Sequence, residues 1–110
     1  MELTEAHLRQ LQALLAEGFS PISFPLFPTC VGVQKHGCAA LLEPVEGGRF
    51  RVAAQPGLLL EGNISVLVER GGEEWFVWKS SQVRATAERL AALRRFEEEL
   101  RGQLESGLRV

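Results

Sequence analysis

Apolar and polar residues alternate along the middle of this chain, whereas both ends carry apolar residues at helical spacing. The N-terminal pattern predicts a helix over residues 4–17, with Thr4 as its N-cap and Gly18 directly after its end. Its apolar stripe consists of Leu8, Leu11, Leu14 and Leu15. The first element is therefore an amphipathic helix with one face suited to a core.

The C-terminal pattern predicts a longer helix that begins between residues 82 and 87 and ends at Glu105. Either Thr86 or Ser81 can serve as its N-cap. Its apolar stripe consists of Leu90, Leu93, Phe96, Leu100 and Leu104. A helix of about 20 residues is about 30 Å long, which is more than a sheet of four or five strands needs as cover.

Two Gly-Gly pairs between apolar runs predict hairpin turns. They are Gly47-Gly48 and Gly71-Gly72, and each stands between one glutamate and one arginine. Because glycine adopts positive φ without steric cost, Gly-Gly fits the two central positions of a type I′ turn. Such turns would set the bracketing charges opposite each other, Glu46 with Arg49 and Arg70 with Glu73.

The apolar runs around these turns predict a sheet. We expect strands at residues 29–34, 38–45, 50–54, 64–69 and 74–79, and a strand or helical turn at 58–60. A turn at Lys35-His36-Gly37 would pair Cys38 with Gln34. The chain thus predicts one α+β domain over residues 1–110, with a four- or five-stranded antiparallel sheet of consecutive hairpins and a long C-terminal helix packed on it.

The second predicted hairpin is apolar on both faces. With Gly71-Gly72 as its turn, Val66 faces Val77 and Leu67 faces Phe76. One face, the expected core face, holds Ile64, Val66, Val68, Trp75 and Val77, and the other holds Leu67, Phe76 and Trp78. The long helix can cover one of them. The other needs either the N-terminal helix or a second subunit.

Residues 20–28 contain three prolines among apolar side chains. Proline excludes a helix here and disfavours a central strand, so an extended crossing segment or a broken edge strand is expected. The apolar members of this segment are Ile22, Phe24, Leu26 and Phe27. We expect them to lie against the core of the protein or against a partner.

Composition excludes some functions. The net charge of −2 gives no general attraction to nucleic acid or to an anionic membrane. No apolar run approaches the roughly 20 residues of a membrane span. The acidic start is unlike an apolar signal sequence, so a cytoplasmic location is expected.

The residues that usually support catalysis or metal binding are scarce, since the chain has neither Asp nor Tyr. Cys30, His36 and Cys38 form the one close group of soft ligands, but their spacing matches no common zinc motif and a fourth ligand is missing. The predicted strand pairing also separates the two thiols beyond disulfide reach. We expect free cysteines, no metal and no cofactor.

Two other groups of side chains resemble parts of a nucleic-acid-binding surface and of a carboxylate catalytic site. Trp75, Phe76 and Trp78 are able to stack on nucleobases, but acidic residues surround them, so nucleic acid is not expected as a partner. The run Glu97–Glu99 would point in different directions on a helix. No catalytic residue is predicted.

These features predict a non-catalytic protein-interaction domain of adaptor or chaperone type that self-associates as a homodimer and has room for a protein partner. The predicted interface residues are Phe24, Phe27, Leu67, Phe76, Trp78, Leu100 and Leu104. The alternative is a small-molecule-binding domain with a pocket between the sheet and residues 20–28, lined by Phe24, Phe27, and Trp75 or Trp78.

Overall fold

The computed structural model describes residues 2–106 and confirms the predicted α+β fold. Helix α1 spans Glu5–Ala16, and helix α2 spans Ala87–Ser106. Between them lie strands β1 Ser20–Ile22, β2 Val31–Lys35, β3 Cys38–Val45, β4 Arg49–Val52, β5 Gly57–Leu60, β6 Asn63–Ile64, β7 Val66–Arg70, β8 Glu73–Trp78 and β9 Ser81–Arg84. The described part of the chain thus has nine strands in two antiparallel sheets, where four or five strands in one sheet were predicted.

Strand β3 is the centre of the larger sheet. It pairs with β2 along one edge. Along its other edge, β5 pairs with its first residues and β4 with its last residues, so the strand order is β1-β2-β3-β5-β6, and β4 pairs with β3 alone. The smaller sheet has the order β7-β8-β9. Ser65 joins the two sheets, because its backbone N–H and its side-chain hydroxyl both donate to the carbonyl oxygen of Leu58, at 2.9 and 2.6 Å.

Both helices pack on the same face of the strands. The main core cluster contains Leu14 of α1, Leu93, Phe96 and Leu100 of α2, and Cys38, Ala40 and Leu42 of β3. The alternate residues of β3, Ala39 and Leu41, point to the opposite face and pack against Phe24. β3 is therefore buried on both sides, although a helix covers only one of them.

Thr4 is confirmed as the N-cap residue of α1, and His7 completes the cap from the third position of the helix. Thr4 Oγ1 accepts a hydrogen bond from the His7 backbone N–H, and His7 Nδ1 accepts one from the Thr4 backbone N–H at 3.0 Å. The proton must therefore lie on His7 Nε2, which donates to the carbonyl oxygens of Val45 and Arg49, both at 2.9 Å. This buried histidine ties α1 to the β3–β4 loop.

The start of α2 selects one of the two predicted caps. Thr86 is the N-cap residue, because its Oγ1 accepts a hydrogen bond from the Arg89 backbone N–H at 3.2 Å. Ser81 instead begins β9, which was not predicted as a strand. Arg89 also donates a side-chain hydrogen bond of 2.9 Å to the carbonyl oxygen of Arg84, at the end of β9.

Two of the three predicted hairpin registers are wrong, and one is confirmed. Gly71-Gly72 is a two-residue turn with Arg70 opposite Glu73, as predicted, although the carboxylate of Glu73 pairs with Arg84 rather than Arg70. Gly47-Gly48 belongs to a three-residue loop, so that Arg49 faces Val45 and not Glu46.

The β2–β3 turn differs in the opposite sense, since it has two central residues where three were predicted. His36 and Gly37 both have positive φ, at 56° and 76°. Cys38 therefore faces Lys35, not Gln34.

Candidate functional site

A groove opens on the face of the sheets that the helices leave free. It lies between residues 24–27 and the strands of both sheets, and it has a volume of about 320 Å³. The side chains that line it include Phe24, Leu26, Phe27, Ile64, Val66 and Trp78, and none of the lining residues is charged. This groove can accommodate an apolar group but offers no ion pair to a charged one.

The loop of residues 23–28, called the tip loop below, forms one wall of this groove and is closed by backbone hydrogen bonds. Phe24 packs against β3, and two successive turns follow, in which Phe27 N–H donates to Phe24 C=O at 2.9 Å and Cys30 N–H donates to Phe27 C=O at 3.1 Å. Gly32 makes room for this anchor, because a Cβ there would stand 2.7 Å from the Phe24 ring. The predicted broken edge strand is thus β1 followed by a fixed loop.

The tip loop presents apolar side chains to solvent. Leu26 is 76% exposed and Phe27 is 49% exposed. No charged residue occurs between Glu17 and Lys35, in a chain in which 24% of residues are charged. This long charge-free stretch is the sequence signal that could have predicted an exposed apolar loop here.

The faces of the second hairpin are reversed relative to the prediction. Phe76 is fully buried among the side chains of α2, so the long helix covers the face expected to need another cover at this residue, whereas Leu67 on the same face is 40% exposed and Trp78 lines the groove. The expected core face is open: Val66 is 61% exposed, and Trp75 lies half-buried beneath the guanidinium of Arg84, 5.8 Å from the ring centre. The N-terminal helix does not cover this face, because it packs beside α2.

The predicted interface residues fall into three environments. Phe24, Phe27 and Trp78 line the groove. Phe76 and Leu100 belong to the core, with 0% and 2% of their surface exposed, so their side chains are not available to a partner. Leu67 and Leu104 lie by two other depressions, one near the start of α2 and one near its end. Trp75 is not among the groove residues.

The depression near the end of α2 has a different character. It has a volume of about 400 Å³ between β4 and α2, with Phe50, Leu100 and Leu104 among its apolar residues. Two arginines and two glutamates also line it, namely Arg49, Arg101, Glu97 and Glu105. Because these opposite charges balance, the site selects neither an anion nor a cation.

The two cysteines lie on opposite faces of the larger sheet. Cys38 belongs to the helix-covered core, and burial, together with the nearby carboxylate of Glu97, raises the pKa of its thiol from 9.0 to about 11. Cys30 packs beside Phe24 on the other face. Within residues 2–106, no three His, Cys or Glu side chains converge on one point where a metal ion would bind.

His36 has a partner on α2 rather than a thiol. Its Nε2 lies 2.7 Å from Glu99 Oε2, and Lys35 Nζ lies 3.3 Å from the same oxygen. The hydrogen bond from His36 is the main cause that lowers the pKa of Glu99. Partial desolvation opposes this shift, and Lys35 adds to it. The group links the β2–β3 turn to α2 and forms no cleft.

Comparison with protein-family models, with curated proteins and with solved structures found no match to this chain. Among the described residues, neither helix is long and apolar enough to cross a membrane.

Proposed function

We propose that this chain is a non-catalytic protein-interaction domain that self-associates through the groove and the tip loop beside it. One observation carries the proposal: an uncharged groove is lined on one side by a hydrogen-bonded loop whose Leu26 is 76% exposed. Holding a large apolar side chain in water is unfavourable, and a fixed loop loses little conformational entropy when it is buried by a partner. Both properties are typical of an anchor residue at an interface.

The open face of the second hairpin extends the same surface. Val66 belongs both to this face and to the groove, and Val68, Trp75 and Val77 continue from it as half-buried side chains. A partner that fills the groove therefore reaches further apolar area, bordered by Arg84 over the Trp75 ring and by Lys79 over the Trp78 ring. Specific interfaces have this arrangement of an apolar centre with charges at its margin.

Sedimentation over a range of concentrations tests the proposal. The wild-type mass should rise from one chain towards two as the concentration increases, and Leu26→Glu should remain one chain because a buried carboxylate is costly. Leu15→Glu is the matched control, since Leu15 is 51% exposed on α1, away from the groove. A wild-type mass of one chain at every concentration, or equal effects of the two variants, would contradict self-association through this surface.

The alternative, a small-molecule site, has support from the position of the groove, which lies where the sequence predicted a pocket. Its volume is near the lower end of the roughly 300–1,000 Å³ of ligand pockets. Its polar side chains are partly engaged, because Ser65 Oγ donates to Leu58 C=O and Asn63 Nδ2 donates to Glu61 C=O. Few polar groups thus remain to orient a small ligand, which favours a protein partner.

Tryptophan fluorescence of the wild-type chain, at a concentration at which sedimentation shows a single chain, distinguishes the two functions. A saturable response of Trp78 to a metabolite, in a chain shown to be monomeric, would support the small-molecule site. Concentration-dependent mass in the wild type, without any such response, would support the interaction domain.

A further inference from the structure

The outer edge of β7 presents backbone hydrogen-bond groups to solvent. In a hairpin with a two-residue turn, the residues that flank the turn form a hydrogen-bonded pair, and such pairs recur at every second position. Arg70 and Glu73 flank this turn, so Val68 also bonds to β8. The N–H and C=O groups of Leu67 and Glu69 therefore point away from β8, towards the open edge of the smaller sheet.

A hydrogen bond on the other side of the hairpin agrees with this register. Glu74 lies opposite Glu69, and its C=O accepts from the Ala85 N–H at 2.9 Å, on the side of β9. Its carbonyl thus points away from β7, as a non-hydrogen-bonded pair requires. Among residues 2–106, no strand pairs with the outer edge of β7, and no loop or side chain bonds to the backbone groups of Leu67 or Glu69.

Two other sheet edges are blocked where β7 is open. In β1 the middle residue is Pro21, which has no N–H, and its C=O accepts from Gln34 Nε2 at 3.4 Å. At the end of β9, the C=O of Arg84 accepts from the Thr86 N–H and from the side chain of Arg89, at 3.0 and 2.9 Å. A strand added at either edge would have to do without these groups or displace their partners, so β7 is the better template for pairing.

A depression lies beside this edge, on the face that α2 covers. It has a volume of about 400 Å³, and it is lined by Leu67 of β7 and by Leu90 and Leu93 of α2. Arg94 and Glu97 also line it. Residues directly opposite each other in neighbouring strands project to the same face. A residue paired with Leu67 would therefore enter the depression, where an apolar side chain is removed from water.

Two carboxylates without a basic partner lie further along the same face. Glu69 and Glu74 are directly opposite each other, and both are exposed. Within residues 2–106, neither lies within ion-pair distance of a basic side chain, and the neighbouring Arg70 bonds instead to Gln82. Because like charges at opposed positions repel, a lysine or arginine placed opposite Glu69 by an added strand would offset this repulsion. The edge of β4 differs, since the charges of the depression beside it balance.

We infer that β7 binds an extended segment of a partner protein as a fourth, antiparallel strand of the smaller sheet, with a basic residue opposite Glu69 and an apolar residue opposite Leu67. An antiparallel segment meets Glu69 first, so its sequence reads basic residue, any residue, apolar residue. A second copy of β7 fits less well, because across a two-fold axis it would again present Leu67 and Glu69, and neither is basic. This surface is separate from the groove, so the inference goes beyond the proposed function.

Synthetic peptides with one methylated amide test the backbone pairing. The probe is fluorescein-Ser-Thr-Lys-Thr-Leu-Thr-Ser-amide, and fluorescence anisotropy should show saturable binding to the wild type. N-methylation of its leucine removes the N–H that pairs with the C=O of Leu67 and should weaken binding at least about ten-fold. N-methylation of the threonine between lysine and leucine is the matched control. That N–H points to solvent in the bound strand, so binding should stay within about two-fold.

Reversal of one charge tests the position opposite Glu69. Glu69→Lys should weaken binding of the lysine peptide at least about three-fold, and it should bind a peptide with glutamate in place of lysine more tightly than the wild type does. Glu98→Lys changes the net charge by the same amount at an exposed position of α2 and should leave both affinities unchanged. Circular dichroism that matches the wild type establishes that each variant is folded before its result is counted.

The outcomes separate this inference from the proposed function. Leu26→Glu should bind the lysine peptide as the wild type does, so a failure of self-association through the groove leaves strand addition standing. No saturable binding of the peptide, equal losses from the two methylated peptides, or equal effects of Glu69→Lys and Glu98→Lys would overturn the inference. Loss of wild-type self-association in Glu69→Lys, without peptide binding, would also overturn it and would identify a second copy as the occupant of the edge.

Discussion

A single thiol illustrates how completely the core excludes water. The side chain of Cys38 is fully buried, in contact with the cluster shared by both helices. Its pKa is raised to about 11, chiefly because burial disfavours the thiolate. Since the thiolate is the reactive form, Cys38 should be inert in the folded chain even though it is a free cysteine.

Thiol labelling checks this expectation. In a Cys30→Ser variant, Cys38 should react with a disulfide reagent at pH 8 at least about 100-fold more slowly when folded than when unfolded, because two units of pKa remove that much thiolate. The free energy of unfolding should also fall as the pH rises from about 9 to about 11, since the unfolded chain ionises first. Rapid labelling of the folded protein would contradict the burial of this thiol.

At the scale of an element, the β7–β8 hairpin depends on its turn. Gly71 and Gly72 have φ of 60° and 81°, and no atom lies within 4 Å of where a Cβ would stand on either. A side chain there would meet no steric clash, so a substitution should act through backbone strain alone. That strain is largest for a β-branched residue.

Two substitutions of Gly71 distinguish the effect of backbone strain at positive φ from the effect of side-chain size. Gly71→Val should lower the free energy of unfolding by on the order of 1–3 kcal/mol. Gly71→Asn should cost much less, because asparagine tolerates the left-handed conformation. Urea unfolding measures both variants. Equal losses for valine and asparagine would mean that the side chain, and not the backbone conformation, decides the stability of this turn.

At the scale of the whole molecule, Glu99 links α2 to the first half of the chain. It accepts from His36 and pairs with Lys35, both at the β2–β3 turn, and its pKa lies below the ordinary value. A carboxyl group with a lowered pKa in the folded state stabilises the fold above its ordinary pKa. That contribution is lost as the pH falls through the lowered value.

The pH dependence of unfolding checks the role of Glu99. Glu99→Gln should be less stable than the wild type at pH 7, and the difference should shrink as the pH falls below 4.5 and through the lowered pKa of Glu99. Glu98→Gln, at the neighbouring exposed position, is the control and should show a smaller difference at pH 7. A Glu99→Gln deficit that stays the same from pH 7 down to the lowest pH at which the wild type remains folded would exclude the charge as its cause.

Both helices and the longer strands could be predicted, because apolar spacing and turn residues are local signals, whereas β9 was missed. The strand-pairing registers across the hairpin turns were harder to predict. Gly47-Gly48 fits a two- or a three-residue loop equally well, and His7, some 40 residues away, hydrogen bonds to both Val45 and Arg49 of the observed loop. His36 takes positive φ without being glycine, which local rules disfavour.

The candidate site could be predicted only in part. Apolar residues in excess of one core pointed to Phe24, Phe27 and Trp78, which line the groove. Alternation along β7 and β8 places Val66 and Leu67 on opposite faces but does not say which face a helix covers. That choice depends on how Ser65 joins the sheets, a contact between residues that no local pattern connects.

The hydrogen bond from Arg89 to the carbonyl oxygen of Arg84 bears on the fate of this protein at high concentration. An unpaired strand edge can hydrogen bond to strands of further copies without limit, and this growth ends in fibrils or amorphous precipitate. Occupying one acceptor on that edge raises the barrier to such growth while leaving the groove accessible. Under the proposed self-association, a contact that closes on itself after two copies is then favoured over one that propagates, so exposed leucine and phenylalanine side chains need not lead to aggregation.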